Sequence, residues 1–449
     1  MSERRVGITG LGVVTAAGVG IEPLWQALLA RRGGLRRIAL FDPSGFPCQV
    51  GGELTGFSAR EFVPKGYRKA VKVMARDIEI AVAGADLAFR DSGITTAGID
   101  EAKVDVDSAR LGCNVGAGLI CADLDELGTA VNTSVTDGRF DIRRWGREGM
   151  NNLTPLWLLK YLPNMLSCHV TIIHQCKGSS NCITCGEASS HLSVGEAFRH
   201  IGRGACDVAV AGGAESKLNP MGLLRQGLLG RLNNTANDRP EAACRPFDAA
   251  AAGTVIGEGG ALLVLEELER AYARAARVYA EVVGFGAACD PDGINFLQPT
   301  AGGLAPAIRA ALRDAKIEPG QVDLVVPSGS GVPAEDAAEA DALVEALGPH
   351  ARQLSVLPMA GSVGNLFAGA GGVALAVAAA ALHKQTVPPA PNFEAPNPRC
   401  GLNVPRQAEP RKLRYALCSG FSVGGQAAAV VLKASEQRTA NSEQRTANS

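Results

Sequence analysis

GEGGALLVLEE, residues 257–267, returns in altered form as GGQAAAVVLKA at residues 424–434. In each segment, glycines that permit a tight turn feed a run of Leu, Val and Ala suited to a strand buried on both faces. The segments close stretches of roughly 260 and 165 residues, as an internally duplicated fold would place them. Outward from them the same pattern recurs in VGITGLGVV at 6–14, DVAVAGGAE at 207–215 and VDLVVPSGS at 322–330. Amphipathic spacing predicts helices over 22–31, 70–91, 192–203, 304–315 and 335–347, the last following Pro333 and carrying acids in its first turns. Buried strands alternating with helices define an α/β chain. We divide it into an N-terminal half, 1–270, a C-terminal half, 271–434, and a polar tail, 435–449, which repeats SEQRTAN and is expected to be disordered.

The 449 residues carry Lys+Arg 44 against Asp+Glu 45, a net charge of −1. No overall field exists to attract nucleic acid or an anionic membrane. With 46% hydrophobic and 20% charged residues and no uninterrupted apolar run of membrane-spanning length, a soluble protein is expected. MSERRVGITG lacks the pattern of a secretion signal, so the expected location is the cytoplasm and the twelve cysteines are expected to be reduced. The 54 glycines, about 12% against a usual figure of roughly 7%, point to many turns and close backbone approaches.

The densest group of chemically capable side chains is His169, His174, Cys176, Cys182, Cys185 and His191, with Cys182 and Cys185 in a C-x-x-C. A structural metal site needs a second pair on suitable loops, whereas 178–199 reads as a glycine turn, a short strand and a helix, so no metal is expected. Cys185 lies just before the predicted helix 188–203, where a helix N-terminus lowers a thiol pKa. His350 and His383 fall in polar segments and are read as surface residues. GLGVVTAAG at 10–18 and GEGG at 257–260 match neither phosphate-loop pattern, and no cofactor is expected.

Longer motifs carry a resemblance. VGITGLGVVTAAG at 6–18, HVTIIHQCKGSSNCITC at 169–185, CRPFDAAAAGTVIGEGGALLVLEE at 244–267, PAEDAAEA at 333–340, GNLFAGAGG at 364–372 and SGFSVGGQAAAVVLK at 419–433 resemble the β-ketoacyl-ACP synthases, in that family's order over roughly residues 4–434. The resemblance implies the thiolase fold, two similar halves stacked as five layers (αβαβα), normally dimeric. It also implies an acyl chain held on a cysteine and two histidines that assist decarboxylation of malonyl-ACP.

Four positions depart from that pattern. In the family the nucleophile, inside a run like T-A-C-x-S-G, lies eight residues before the helix glycine that Gly195 matches, and counting back puts Glu187 at the nucleophile's place. V-P-S-G-S-G-V-P-A-E-D at 326–336 puts Ser328 at the first histidine, and A-G-S-V-G-N-L-F-A-G-A-G at 360–371 puts Asn365 at the second, with Ala360 for the lysine. Chain-length factors usually carry Gln where Glu187 stands. Phe421 and Val423 match the gate residues of the G-F-G-G loop.

The resemblance therefore implies a ketosynthase-like subunit of a fatty-acid or polyketide pathway that lacks ordinary condensing activity. Its partners would be an active ketosynthase in a heterodimer, an acyl carrier protein and an acyl chain. A second reading makes Glu187 a general base or covalent carboxylate in an altered acyl transfer, or Cys185 a displaced nucleophile. A third is a non-catalytic, acyl-binding homodimer. Glu187 is expected to lie at its helix N-terminus, accepting the main-chain N–H groups of its own residue and Val423, and to plug the vacated oxyanion site.

Overall fold

The structure, a computed structural model, describes residues 4–292 and 300–436. Most of the 435–449 tail lies outside the described residues. In the N-terminal half the strands are β1 (Val6–Thr15), β2 (Leu111–Gly116), β3 (Ser180–Ile183), β4 (Val208–Ser216) and β5 (Glu258–Glu267). In the C-terminal half they are β6 (Ala280–Cys289), β7 (Leu324–Val326), β8 (Ser355–Val356), β9 (Tyr415–Phe421) and β10 (Gln426–Ala434).

The two sets have one topology. From the centre outward the first runs β1-β5-β4-β2-β3 and the second β6-β10-β9-β7-β8. In each, the two inner pairings are antiparallel and the two outer pairings parallel. They join where β1 meets β6 antiparallel, through Val6↔Val282, Gly7↔Glu281 and Ile8↔Ala280. The two glycine-led segments of the sequence are β5 and β10, equivalent strands of the two sets.

The helices that matter are α1 (Arg76–Ser92), α2 (Ser189–Gly202), α3 (Pro220–Leu228), α4 (Leu304–Ala315), α5 (Pro333–Leu347) and α6 (Ala370–Lys384). α1 packs on β1, β4 and β5, and α4 packs on β6 and β10. α2 and α6 touch each other and strands of both sets, forming the middle of five layers. The α/β thiolase-type layering is therefore present.

Close packing explains the glycines at equivalent places. β1 bulges between Ile8 and Gly10, and β6 bulges between Val282 and Gly284. A Cβ at Gly10 would come within 2.1 Å of the Ala88 carbonyl oxygen in α1, and one at Gly284 within 2.3 Å of the Ala311 carbonyl oxygen in α4. α6 is rich in alanine, and its residues from Gly371 to Leu382 are all buried, since small side chains let a helix sit between two sheets. Phe367–Lys384, with a mean hydropathy of 1.4, is long and apolar enough for a membrane span by length and composition alone, but 83% of it is buried inside the protein.

Several local expectations change. The helix read over 70–91 starts at Arg76, behind a 3-10 turn at Ala70–Val73. The strand read over 322–330 is confined to Leu324–Val326, and the chain beyond it bends toward α5. His383 is not in a loop: it lies in the last turn of α6 with its ring against Tyr279. His350 lies in the 3-10 helix Gly348–Arg352, its Nε2 2.7 Å from the Val322 carbonyl oxygen.

Candidate functional site

The chain leaves β3 and tightens into a 3-10 turn, Gly186–Ala188, before α2 begins at Ser189. Gly186 has φ 54°, and a Cβ there would meet the Ser422 Cβ at 2.8 Å, so glycine fits both the conformation and the space. Ser189 fastens the turn: its Oγ accepts the Cys185 N–H at 2.8 Å and donates to the Gly186 carbonyl at 2.7 Å. These bonds place Glu187, 7% exposed, at the entry to the central helix. In the C-terminal half a second 3-10 turn, Phe367–Gly369, leads into α6, and Asn365 lies just before it. The N-terminal ends of both central helices thus approach one place.

The Glu187 carboxylate does not turn toward Val423 as expected. Its Oε1 accepts Arg231 Nη2 at 2.9 Å and Asn365 Nδ2 at 3.3 Å. Arg231, 6% exposed, also clasps Glu335 with two bonds, Nε to Oε1 at 2.7 Å and Nη2 to Oε2 at 2.9 Å. Its Nη1 donates to Gln226 Oε1 at 3.1 Å. Burial works against the guanidinium charge, but Glu187 and Glu335 prevail and raise the Arg231 pKa above its ordinary value. Glu187 and Arg231 come from the N-terminal half, Glu335 and Asn365 from the C-terminal half, so this network crosses the junction between halves.

Ser328 is held by main-chain bonds. Its N–H and that of Gly329 donate to the two carboxylate oxygens of Glu339, at 2.9 and 2.8 Å, and its Oγ accepts the Phe421 N–H at 3.4 Å. Asp336 accepts the Phe247 N–H at 2.8 Å and the Gly331 N–H at 3.1 Å, fixing the other end of the loop. Asn365 is fixed as well, its Oδ1 accepting the Phe367 N–H at 2.8 Å.

Glu187, Ser328 and Asn365 all line one cavity, with His191 and Ser419. Met359, Val363, Leu366 and Val373 line it as well, and its free volume is about 20 Å³. That is room for about one water, far below the roughly 300 Å³ at which small-molecule sites begin. Phe421 and Val423 do not line it; Phe421 is buried at the end of β9, and Val423 is half-buried in the following turn.

Cys185 is half-buried and lies outside the cavity lining. Burial, with Cys289 nearby, pushes its thiol pKa up, the wrong direction for a nucleophile. Among the described residues no three His, Cys, Asp or Glu side chains converge as a metal site. His169 pairs with the Tyr67 hydroxyl at 2.8 Å and His174 with the Thr96 hydroxyl at 2.7 Å.

Sequence reasoning missed Arg231, Gln226 and Ser419, and read Glu335 only as a first-turn acid. Arg231 sits in GRLNN, which has no distinguishing pattern, and its two carboxylate partners are 44 and 104 positions away. A buried arginine with two acids is found only once the fold brings them together.

The chain belongs to the β-ketoacyl synthase family. Residues 3–271 match the family described as Beta-ketoacyl synthase, N-terminal domain, and residues 279–394 match Beta-ketoacyl synthase, C-terminal domain. It is 32% identical over 426 residues to a 3-oxoacyl-[acyl-carrier-protein] synthase 2 of Synechocystis, covering 95% of this chain and 97% of the relative. It is 34% identical over 433 residues to a putative polyketide beta-ketoacyl synthase 1 of Streptomyces cyaneus, covering 96% and 98%. Among solved structures it resembles the ishigamide ketosynthase/chain length factor, with a TM-score of 0.82 and 26% identity over 96% of this chain and 100% of that one.

Proposed function

We propose that this protein is a ketosynthase-like subunit that has lost decarboxylative condensation and acts beside an active ketosynthase, in the manner of a chain-length factor. The observation that carries this reading is the state of Glu187. At the place where the family resemblance expects a nucleophilic cysteine, a carboxylate is bound by Arg231 and Asn365 in a cavity with room for about one water. Arg231 and Asn365 already bond the Glu187 carboxylate, and the cavity beside it leaves no room for an acyl group to reach it. Asn365 and Ser328 supply hydrogen bonds but no group that transfers a proton near neutral pH. Acid–base and oxyanion contributions are each typically worth orders of magnitude in rate, and both are absent from this reading of the site.

The surface supports a protein partner. β3 ends the sheet, and its outer edge has no paired strand among the described residues. Nine of the fourteen large apolar side chains that are exposed among the described residues fall within 119–172, including Leu156 at 77%, Ile142 at 69% and Leu158 at 60%. Ile172, exposed as well, lies on the helix Met165–His174, which packs on β3. An open strand edge beside an apolar surface suits a lasting contact with another chain. The relative named ketosynthase/chain length factor makes an active ketosynthase the partner of choice, with an acyl carrier protein delivering the acyl chain in the cytoplasm.

Co-expression with a ketosynthase that retains Cys and both His tests the reading. A stable one-to-one complex that condenses acyl and malonyl groups, with this chain inert alone, is expected. A homodimer that ignores every such ketosynthase and turns over malonyl-ACP would reject it.

A further inference from the structure

We propose that the cavity between α2 and β9 is a buried-water site, in which His191 and Ser419 hold a water-sized ligand where the fold would otherwise admit an acyl group. The proposal rests on the closed-pocket reading above. His191 lies one helical turn after Glu187 and is 2% exposed; the Glu187 main-chain carbonyl is the one protein acceptor near its ring, and neither ring nitrogen makes a bond of good geometry. Ser419, on β9 from the other half, is 1% exposed, and its Oγ is unpaired as well. Both side chains line the same cavity.

The ring has been given space deliberately by its surroundings. A Cβ at Gly371, in α6, would lie 2.5 Å from His191 Nδ1, and one at Gly420, in β9, would lie 2.8 Å from its Cε1. Two glycines from different elements thus accommodate one imidazole. Burial lowers the His191 pKa to about 4, partly offset by the Glu187 main-chain carbonyl, so the ring is neutral at physiological pH. A neutral imidazole has one donor and one acceptor, and a serine hydroxyl has both. Water complements that set, and a buried water ordinarily has two to four polar partners. The free volume of about 20 Å³ exceeds the roughly 10–15 Å³ a water needs. An acyl chain does not fit it.

A high-resolution crystal structure of the full chain, with a Ser419→Ala variant alongside, tests this. The expected result is a single peak within about 3.2 Å of a His191 ring nitrogen and the Ser419 Oγ, weakened or lost in Ser419→Ala. A dry cavity, or a His191 ring bonded directly to protein, would overturn the water site alone. Elongated density for an acyl group would overturn both the water site and the closed-pocket reading.

Discussion

Glu187 and Arg231 form an ion pair of 2.9 Å in which both side chains are less than one-tenth exposed. The same guanidinium pairs with Glu335, so one cation serves two buried carboxylates from opposite halves of the fold. Removing one member of such a group costs far more than the pair gives, because a buried charge is left alone.

Arg231→Met leaves Glu187 and Glu335 facing each other without a cation. We expect a loss of about 3–5 kcal/mol in unfolding free energy. Glu187→Gln keeps an oxygen for Arg231 and leaves Glu335 in place, so it should cost no more than about 1–2 kcal/mol. Urea unfolding of the three proteins checks the ranking; equal losses would show that the network is not organised around Arg231.

Restoring the family's side chains should not restore its chemistry. In Glu187→Cys/Ser328→His/Asn365→His, Arg231 loses one carboxylate and two larger rings enter a cavity of about 20 Å³. We expect no β-ketoacyl product above background from acyl-ACP and malonyl-ACP, together with a lower urea midpoint. Product formation by mass spectrometry would show that the slot opens more readily than its packing indicates.

Two histidines and two carboxylates shape stability against pH in opposite ways. Burial lowers His174 to about 3 and His191 to about 4, so below the unfolded value near 6.5 only the unfolded chain takes up their protons. Their contribution is complete above about pH 6.5 and is lost as pH falls toward 4. Burial raises Asp336 to about 7 and Glu339 to about 8, against the main-chain N–H groups that favour their ionised forms. Their contribution is complete below about pH 4 and is lost as pH rises through 7 to 8. Between about pH 4 and 6.5 the two pairs oppose each other, so urea midpoints should change little there and fall as pH rises from about 6.5 to 8. His191→Gln should make the midpoints fall from about pH 4 upward and leave the fall above about pH 6.5 unchanged; an unaltered profile between about pH 4 and 6.5 would remove His191 from this account.

Much of this fold was legible in the sequence, for a physical reason. GEGGALLVLEE and GGQAAAVVLKA are β5 and β10, and their likeness reflects identical surroundings in two halves of one topology. Gly195, the residue from which Glu187 was counted, is required by packing: a Cβ there would lie 2.2 Å from the Phe285 ring. Contacts between distant segments were not legible. The approach of Arg231 to Glu187 depends on where the loop after α3 carries residue 231, and no local pattern marks it. His191 was noticed only as one of several Cys and His residues, whereas its position is set by glycines at 371 and 420.

The repeated bulges give a further prediction. Gly10→Ala and Gly284→Ala each drive a methyl into a helix carbonyl, so both should lower stability by about 3 kcal/mol or more and by similar amounts. Thermal unfolding of the two variants measures it, and a mild effect at only one site would break the equivalence of the halves.

The central claim is that the chain no longer condenses. Incubating the isolated protein with acyl-ACP and malonyl-ACP, and following β-ketoacyl-ACP and malonyl loss by mass spectrometry, tests it directly. The predicted result is neither product above the rate without protein, both for wild type and for Glu187→Gln. Turnover by the wild type that disappears in Glu187→Gln would contradict it and make Glu187 a catalytic residue.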